Sequence, residues 1–251
     1  MTTTPEHPAL AVRGISHSFG AIQALKDVSF TVPRGAFTAL VGINGAGKTT
    51  LFSLITRLYD STSGAIEVGG FDARRQPGEA LSRLGVVFQS RALDLDLTLK
   101  QNLLYHAALH GIGRQTALVR IDEVLHLVGL SDRIGVKAAA LSGGQQRRAE
   151  IARSLIHRPD LLLLDEAAAG LDVRSRQEVL AVVRRLIAGQ GVSTLWATHA
   201  FDEIEADDPV VVLHRGAVLA QGRAQDLAGD GSFSDAFLTM TGAATTTGAA
   251  A

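Results

Sequence analysis

Gly42-Ile43-Asn44-Gly45-Ala46-Gly47-Lys48-Thr49 sets glycines, a lysine and a hydroxyl at the spacing G-x-x-x-x-G-K-[ST]. Each residue type answers a need of phosphate binding. Glycine permits positive φ and lets the backbone approach an anion closely. Consecutive N–H groups then converge at the positive end of a helix. Lys48 reaches the β- and γ-phosphates, and the Thr49 hydroxyl is placed to ligate Mg²⁺. An apolar stretch precedes the octet and a helical pattern follows it, the context such a loop requires. With this composition the octet arises by chance in roughly half a percent of chains. A guanine reader of the form N-K-x-D is missing, because the two asparagines, Asn44 and Asn102, are followed by Gly45 and Leu103. ATP is therefore favoured over GTP.

Four leucines, 161–164, run straight into Asp165-Glu166. This puts two acids at the carboxyl end of a buried strand, where ligand crevices open in parallel sheets. Asp165 is suited to hold Mg²⁺, directly or through water, and Glu166 to orient or deprotonate an attacking water. Seen alone, a strand end running into a polar turn would read the same. Leu141-Ser142-Gly143-Gly144-Gln145 opens a helix whose Ala149, Ala152, Leu155 and Ile156 share a stripe. Ser142 is a good N-cap and the glycines expose first-turn amides, a second anion-binding helix start without a lysine of its own. Alone it would be an ordinary capped helix. His106 and His110 stand at i, i+4, but no carboxylate falls between them and no third ligand is evident, so the pair reads as background. Arg147-Arg148 and Arg184-Arg185 read as solvated helix faces.

The elements that must position these residues alternate. Short apolar runs at 28–32, 37–41, 85–88, 161–164, 193–197 and 210–213 predict strands, several of them covered on both faces. Helical periodicity follows the phosphate loop over 47–58. It recurs at 174–188, where Val179, Val182, Val183, Leu186 and Ile187 form one stripe. Alternation implies crossovers and a largely parallel sheet, with an antiparallel part within 9–66. From 93 to 159 the strand signal disappears, and Leu118, Ile121, Val124, Leu125 and Val128 mark a helical insertion. The expected organisation is a core from 1–92 and 159–238, a helical subdomain at 93–158, and an unstructured tail at 239–251.

Composition narrows the class. The 251 residues suggest one or two domains. At 46% hydrophobic and 20% charged, wholesale disorder is excluded. A net charge of −1 argues against a dedicated nucleic-acid or anionic-membrane surface. The absence of cysteine removes disulfides, thiolate nucleophiles, Cys-ligated zinc and iron–sulfur clusters. No apolar run approaches the ~18 residues of a membrane span, and the first residues lack the pattern of a signal peptide. A soluble, cytoplasmic α/β protein is the expectation.

Taken in this order, the phosphate loop, Leu-Ser-Gly-Gly-Gln and the leucine-rich Asp-Glu strand resemble the ATP-binding cassette family of transport ATPases over residues 10–222. The resemblance implies a P-loop NTPase (RecA-like) core with a mostly parallel sheet, an N-terminal antiparallel part and a helical signature subdomain. It implies ATP and Mg²⁺ as cofactors. Gly42, Asn44, Gly45, Gly47, Lys48, Thr49 and Thr50 match its ATP-binding loop, and Phe19 the aromatic that stacks on adenine. Gln89 matches the switch glutamine that senses Mg²⁺ and the water, so Thr49, Gln89 and Asp165 become the Mg²⁺ set. His199 matches the switch histidine at the γ-phosphate, which joins Glu166 and Gln89 in catalysis. Ser142, Gly143, Gly144 and Gln145 match the signature that grips the nucleotide of the opposite subunit. Ala169-Gly170-Leu171-Asp172 matches the loop that crosses the dimer interface. Where the family usually has Pro-Thr after the acids, this chain has Ala167-Ala168. That turn loses proline's stiffening but keeps its ligands, so ATPase activity is expected to survive.

The implied partners are a second copy, paired head to tail with ATP, and separate membrane permease subunits. Nucleic acid is not an expected partner, nor is direct membrane insertion. The expected place is the inner face of the cell membrane. Residues 91–111 are the expected docking face. Their L-T-x-x-Q-N-L pattern is similar to that of export cassettes, especially those associated with quinoprotein alcohol dehydrogenase systems. A soluble cassette ATPase or an importer subunit are the alternatives, the latter disfavoured in part by the lack of a long C-terminal domain.

Overall fold

The computed structural model describes residues 7–61 and 63–242. Among the described residues ten strands form two sheets. Strands β1 (Leu10–Phe19), β2 (Ile22–Val32), β4 (Ala65–Val68) and β5 (Phe71–Asp72) make an antiparallel sheet in the order β2-β1-β4-β5. The second sheet has the order β10-β9-β3-β8-β7-β6, from β3 (Phe37–Val41), β6 (Leu84–Val87), β7 (Leu161–Asp165), β8 (Ser193–Thr198), β9 (Pro209–His214) and β10 (Ala217–Arg223). Every pairing in it is parallel except β10 with β9. The expected parallel core and antiparallel N-terminal part are both present.

The continuous apolar runs have a physical reason. Alternate residues of one strand enter different cores. Ala39, Val41, Leu162, Leu164, Val210 and Val212 face one hydrophobic cluster. Leu40, Leu161, Leu163, Val211 and Leu213 face the other, with the N-terminal sheet and the phosphate-loop helix α1 (Lys48–Ile55). With both faces covered, neither parity of the strand can be polar.

The first cluster also takes in α3 (Leu99–Leu109), α4 (Arg114–Leu127), α5 (Gly143–Leu155) and α6 (Val173–Gln190). The helical stretch thus shares its core with the sheet. Capping sets its helix starts. Thr98 and Gln101 form a capping box at α3, and Ser142 and Gln145 form another at α5. The side chain of Asp172 accepts from Ser175 N–H at 2.9 Å at the start of α6.

The short helix α2 (Pro77–Leu81), the edge strand β10, α7 (Ala224–Ala228) and α8 (Phe233–Thr241) were not expected from periodicity. β10 is half-exposed, so it lacks an apolar run. α8 seats Phe237 against Phe201, and it takes in residues 239–241 of the stretch expected to be unstructured. Residues 243–251 lie outside those described.

Candidate functional site

The phosphate loop runs from the end of β3 into α1. Tertiary neighbours close on it tightly. A Cβ on Gly42 would lie 2.5 Å from the Leu213 carbonyl oxygen, so only glycine fits there. Gly47, the residue before α1, has φ 110°, a conformation open to glycine alone. The loop therefore folds back on itself, with Ala46 N–H donating to Ile43 O at 3.0 Å, and Asn44 to Thr50 line a cleft of about 670 Å³.

Asn44, Gly45, Gly47, Lys48, Thr49, Thr50, Gln89, Glu166 and His199 line that cleft together. Sequence reasoning missed Ile22, Gln23, Ala24, Lys26, Arg215 and Gly216, which also line it. They come from β2 and the β9–β10 turn, and no local pattern marks them. With Lys48 they give the cleft three cationic side chains, a charge balance suited to a polyphosphate.

Glu166 is the hub of the cleft. Its Oε2 accepts from Gln89 Nε2 at 3.1 Å. Its Oε1 lies 3.4 Å from His199 Nδ1 and 3.7 Å from Lys48 Nζ. Its backbone is left-handed, φ 48°, which costs an L-residue about 1–2 kcal/mol. The turn holds it there, with Glu166 N–H donating to Ala197 O and Ala169 N–H to Glu166 O, both at 3.0 Å. The strained position swings the carboxylate off the end of β7 and into the cleft.

Lys48 is buried and donates to Gly42 O at 2.6 Å. Burial holds its ammonium below the usual lysine range, against the opposing pull of Glu166 and Asp165. Asp165 is buried behind Glu166, and burial, followed by the Glu166 charge, pushes its carboxyl up. Two adjacent carboxylates beside an exposed Thr49 are the oxygen donors a hard divalent cation takes.

Phe19 is half-exposed and stacks edge-on against His17 and Tyr59 rather than lining the cleft. Ser142, Gly143, Gly144 and Gln145 are likewise not among the lining residues of the same chain's cleft. Ser142 is exposed at the start of α5, and a Cβ on Gly144 would lie 2.7 Å from Ser175 Oγ.

The arginine pairs need correction. Arg147 is buried, 6% exposed, and is no solvated face. It donates to Phe88 O at 2.8 Å, Gln89 O at 3.1 Å and Glu150 Oε2 at 2.7 Å. It thereby fixes the backbone that carries Gln89. Arg184 grips Asp208 through two 2.6 Å bonds and lies over the Phe37 ring. Arg185 alone of these two residues in α6 is exposed. Replacing Arg147 by alanine strands a buried Glu150. The expected cost is about 3–5 kcal/mol, read in urea melts from the fluorescence of Trp196, the single, buried tryptophan. A loss below about 1 kcal/mol would mean that the pair contributes no more than a surface bridge.

The profile of the family described as "ABC transporter" matches residues 25–169, more than half of the chain. This chain belongs to the ABC transporter family. It is 35% identical over 208 residues to the ABC transporter ATP-binding protein NatA of Bacillus subtilis, covering 82% of this chain and 84% of that one. The linearmycin resistance ATP-binding protein LnrL of Bacillus subtilis is 34% identical, covering 87% and 70%. The Fe(3+) ions import ATP-binding protein FbpC of Brucella melitensis biotype 1 is 36% identical, covering 87% and 62%. A solved ATP-binding subunit of an ABC transporter superposes with a TM-score of 0.81 at 28% identity, over 93% of this chain and 99% of that one. The chain is thus the ATP-binding and hydrolysing subunit of an ABC transporter, a class that works with membrane permease partners. Among the described residues no helix is long and apolar enough to cross a membrane.

The relatives carry both resistance and import names. The L-T-x-x-Q-N-L pattern has a local structural role. Thr98 and Gln101 cap α3, Leu103 is core, and Asn102 exchanges 2.9 Å bonds with the Asp94 backbone.

Proposed function

We propose that two copies of this chain close head to tail on two ATP molecules and drive export through separate permease subunits. The observation that carries the pairing is the separation of the two anion-binding helix starts. The phosphate loop lines the cleft, whereas Ser142 opens α5 outside it, exposed to a partner. The exposed Ala169 and Gly170 sit on the turn beside Glu166, where a crossing partner would meet them. A second copy then completes each site, an isologous arrangement with nucleotide at the interface.

Within one site the residues divide the work. Backbone amides around Gly45 and Gly47, with Lys48, hold the phosphates, and Thr50, Asn44 and Phe19 complete the nucleotide contacts. Thr49, Gln89 and Asp165 would hold Mg²⁺, which supplies charge neutralisation on the phosphates when bound. Glu166 takes the proton of the attacking water, and Gln89 and His199 hold its two carboxylate oxygens in place. Ser142, Gly143, Gly144 and Gln145 of the second copy cover the phosphates and exclude water.

The half-exposed face of 91–111 carries Leu95, Tyr105 and Leu109 in the open and is the permease contact in this reading. Export, and the narrower class of cassettes of quinoprotein alcohol dehydrogenase systems, rest on the resemblance of Leu97-Thr98-x-x-Gln101-Asn102-Leu103 to export cassettes, while an importer subunit is the alternative that the import-named relatives support. The location is peripheral, on the cytoplasmic face of the cell membrane. Size-exclusion chromatography of Glu166→Gln with saturating ATP·Mg²⁺ tests the pairing. A dimer that reverts on nucleotide removal is expected, and a strict monomer would count against it.

A further inference from the structure

Three imidazoles from separate places in the chain meet at the foot of the helical subdomain. His106 lies in the last turn of α3, His110 is its C-cap, and His157 follows the end of α5. One nitrogen from each lies within 4.8 Å of the other two. Sequence spacing supplied only the i, i+4 pair, and the chain's return through α5 brings the third.

The geometry points to a site for a zinc-class divalent transition cation, held by His106, His110 and His157 with the fourth position open to solvent. His157 Nε2 lies 2.8 Å from Leu84 O, and a carbonyl only accepts, so Nε2 carries the proton. Nδ1 then presents a bare lone pair, and this atom is buried without a partner. A metal-bound histidine usually donates its other N–H to such a carbonyl. His106 Nε2 is buried and unpartnered in the same way. Two unsatisfied nitrogens in one small volume are costly unless something ligates them.

Protonation state agrees. Burial holds His106 down to about 3 and His157 to about 4, and burial also lowers His110, so near neutral pH the rings are uncharged ligands. The rings of His110 and His157 lie stacked, 3.9 Å apart. Tetrahedral zinc would draw the three nitrogens to about 3.4 Å from one another. His110 is exposed and can turn inward to meet that spacing.

Ligand type sets the cation. No carboxylate contributes, and two cations stand near: Arg153, bonded to Ala92 O at 2.8 Å, and Arg120, bonded to Ile156 O at 3.1 Å. Their charge opposes any divalent cation alike, so the ligands discriminate: Mg²⁺ and Ca²⁺ need hard oxygen donors, which this cluster does not supply. Zn²⁺, Ni²⁺, Cu²⁺ and Co²⁺ take neutral imidazole readily. A cation here would tie the end of α3 to the α5–β7 connection and to β6 through Leu84.

The test uses tag-free, chelator-stripped full-length protein titrated with Co²⁺ in millimolar Mg²⁺, followed by its visible d–d absorption and by equilibrium dialysis with Zn²⁺. One equivalent per chain is expected, with Zn²⁺ displacing Co²⁺. His110→Ala, at an exposed position, and His157→Gln, which keeps an amide donor for Leu84 O, should each weaken binding at least about tenfold. His126→Ala, at an exposed histidine outside the cluster, should bind as the parent does. Less than half an equivalent in the parent, or parental affinity in both His110→Ala and His157→Gln, would mean that the three rings merely pack together.

Discussion

Replacing Glu166 by glutamine is expected to cut steady-state ATP hydrolysis by about 10²–10⁴-fold, the usual contribution of a positioned general base. Nucleotide binding should survive. Glutamine keeps the volume and one oxygen to accept from Gln89 Nε2, which lies 3.1 Å from the native carboxylate. What it loses is the basic oxygen that His199 and Lys48 approach at 3.4 and 3.7 Å. No other carboxylate substitutes. Asp165 is buried behind it and does not line the cleft. The measurement is phosphate release under multiple turnover, alongside a fluorescent-nucleotide binding isotherm. Parental turnover would remove Glu166 from the role of base. The left-handed backbone makes a second contribution testable in the same assay. Ala167→Pro stiffens the turn without touching a ligand, so a gain there together with no loss in Glu166→Gln would place the base elsewhere.

Lys48→Ala is expected to weaken ATP binding by about 10–100-fold, the worth of a hydrogen bond to a charged group, and to abolish measurable hydrolysis. Lys48 is the buried cation of a cleft lined by Glu166, with Asp165 buried behind that acid. Removing it subtracts the contact to the terminal phosphates and leaves Asp165 and Glu166 without their nearest positive charge. The polyanion then meets the Glu166 carboxylate, with Asp165 behind it, and only the cleft cations Lys26 and Arg215 oppose them. Isothermal titration with ATP·Mg²⁺ reads the loss directly. Affinity equal to the parent would empty the phosphate-loop reading of its content.

Much of this was readable along the chain because it is local. Leu161–Asp165 is a strand and its neighbour Glu166 a site residue for one reason: a run that is apolar at both parities must be buried on both faces, and acids at its end must emerge where the sheet opens. Ser142 and Gln145, three residues apart, announce a helix start by their own hydrogen bonds. The arginine pairs misled because a guanidinium on a helix is ordinarily solvated. Arg147 is buried because the carbonyls of Phe88 and Gln89 and the carboxylate of Glu150 happen to converge on it, and no spacing rule encodes that convergence.

The sequence by itself determined the phosphate-loop pattern, the alternation of the buried strands with the main helices, and the family, since these rest on neighbours within a few residues, where covalent geometry limits the choices. Only the tertiary structure decided that Leu213 leaves Gly42 no room for a side chain, that Lys26 and Arg215 line the cleft beside Lys48, and that His157 joins His106 and His110. Those contacts are set by how sheets and helices pack against one another, and packing is a property of the whole chain.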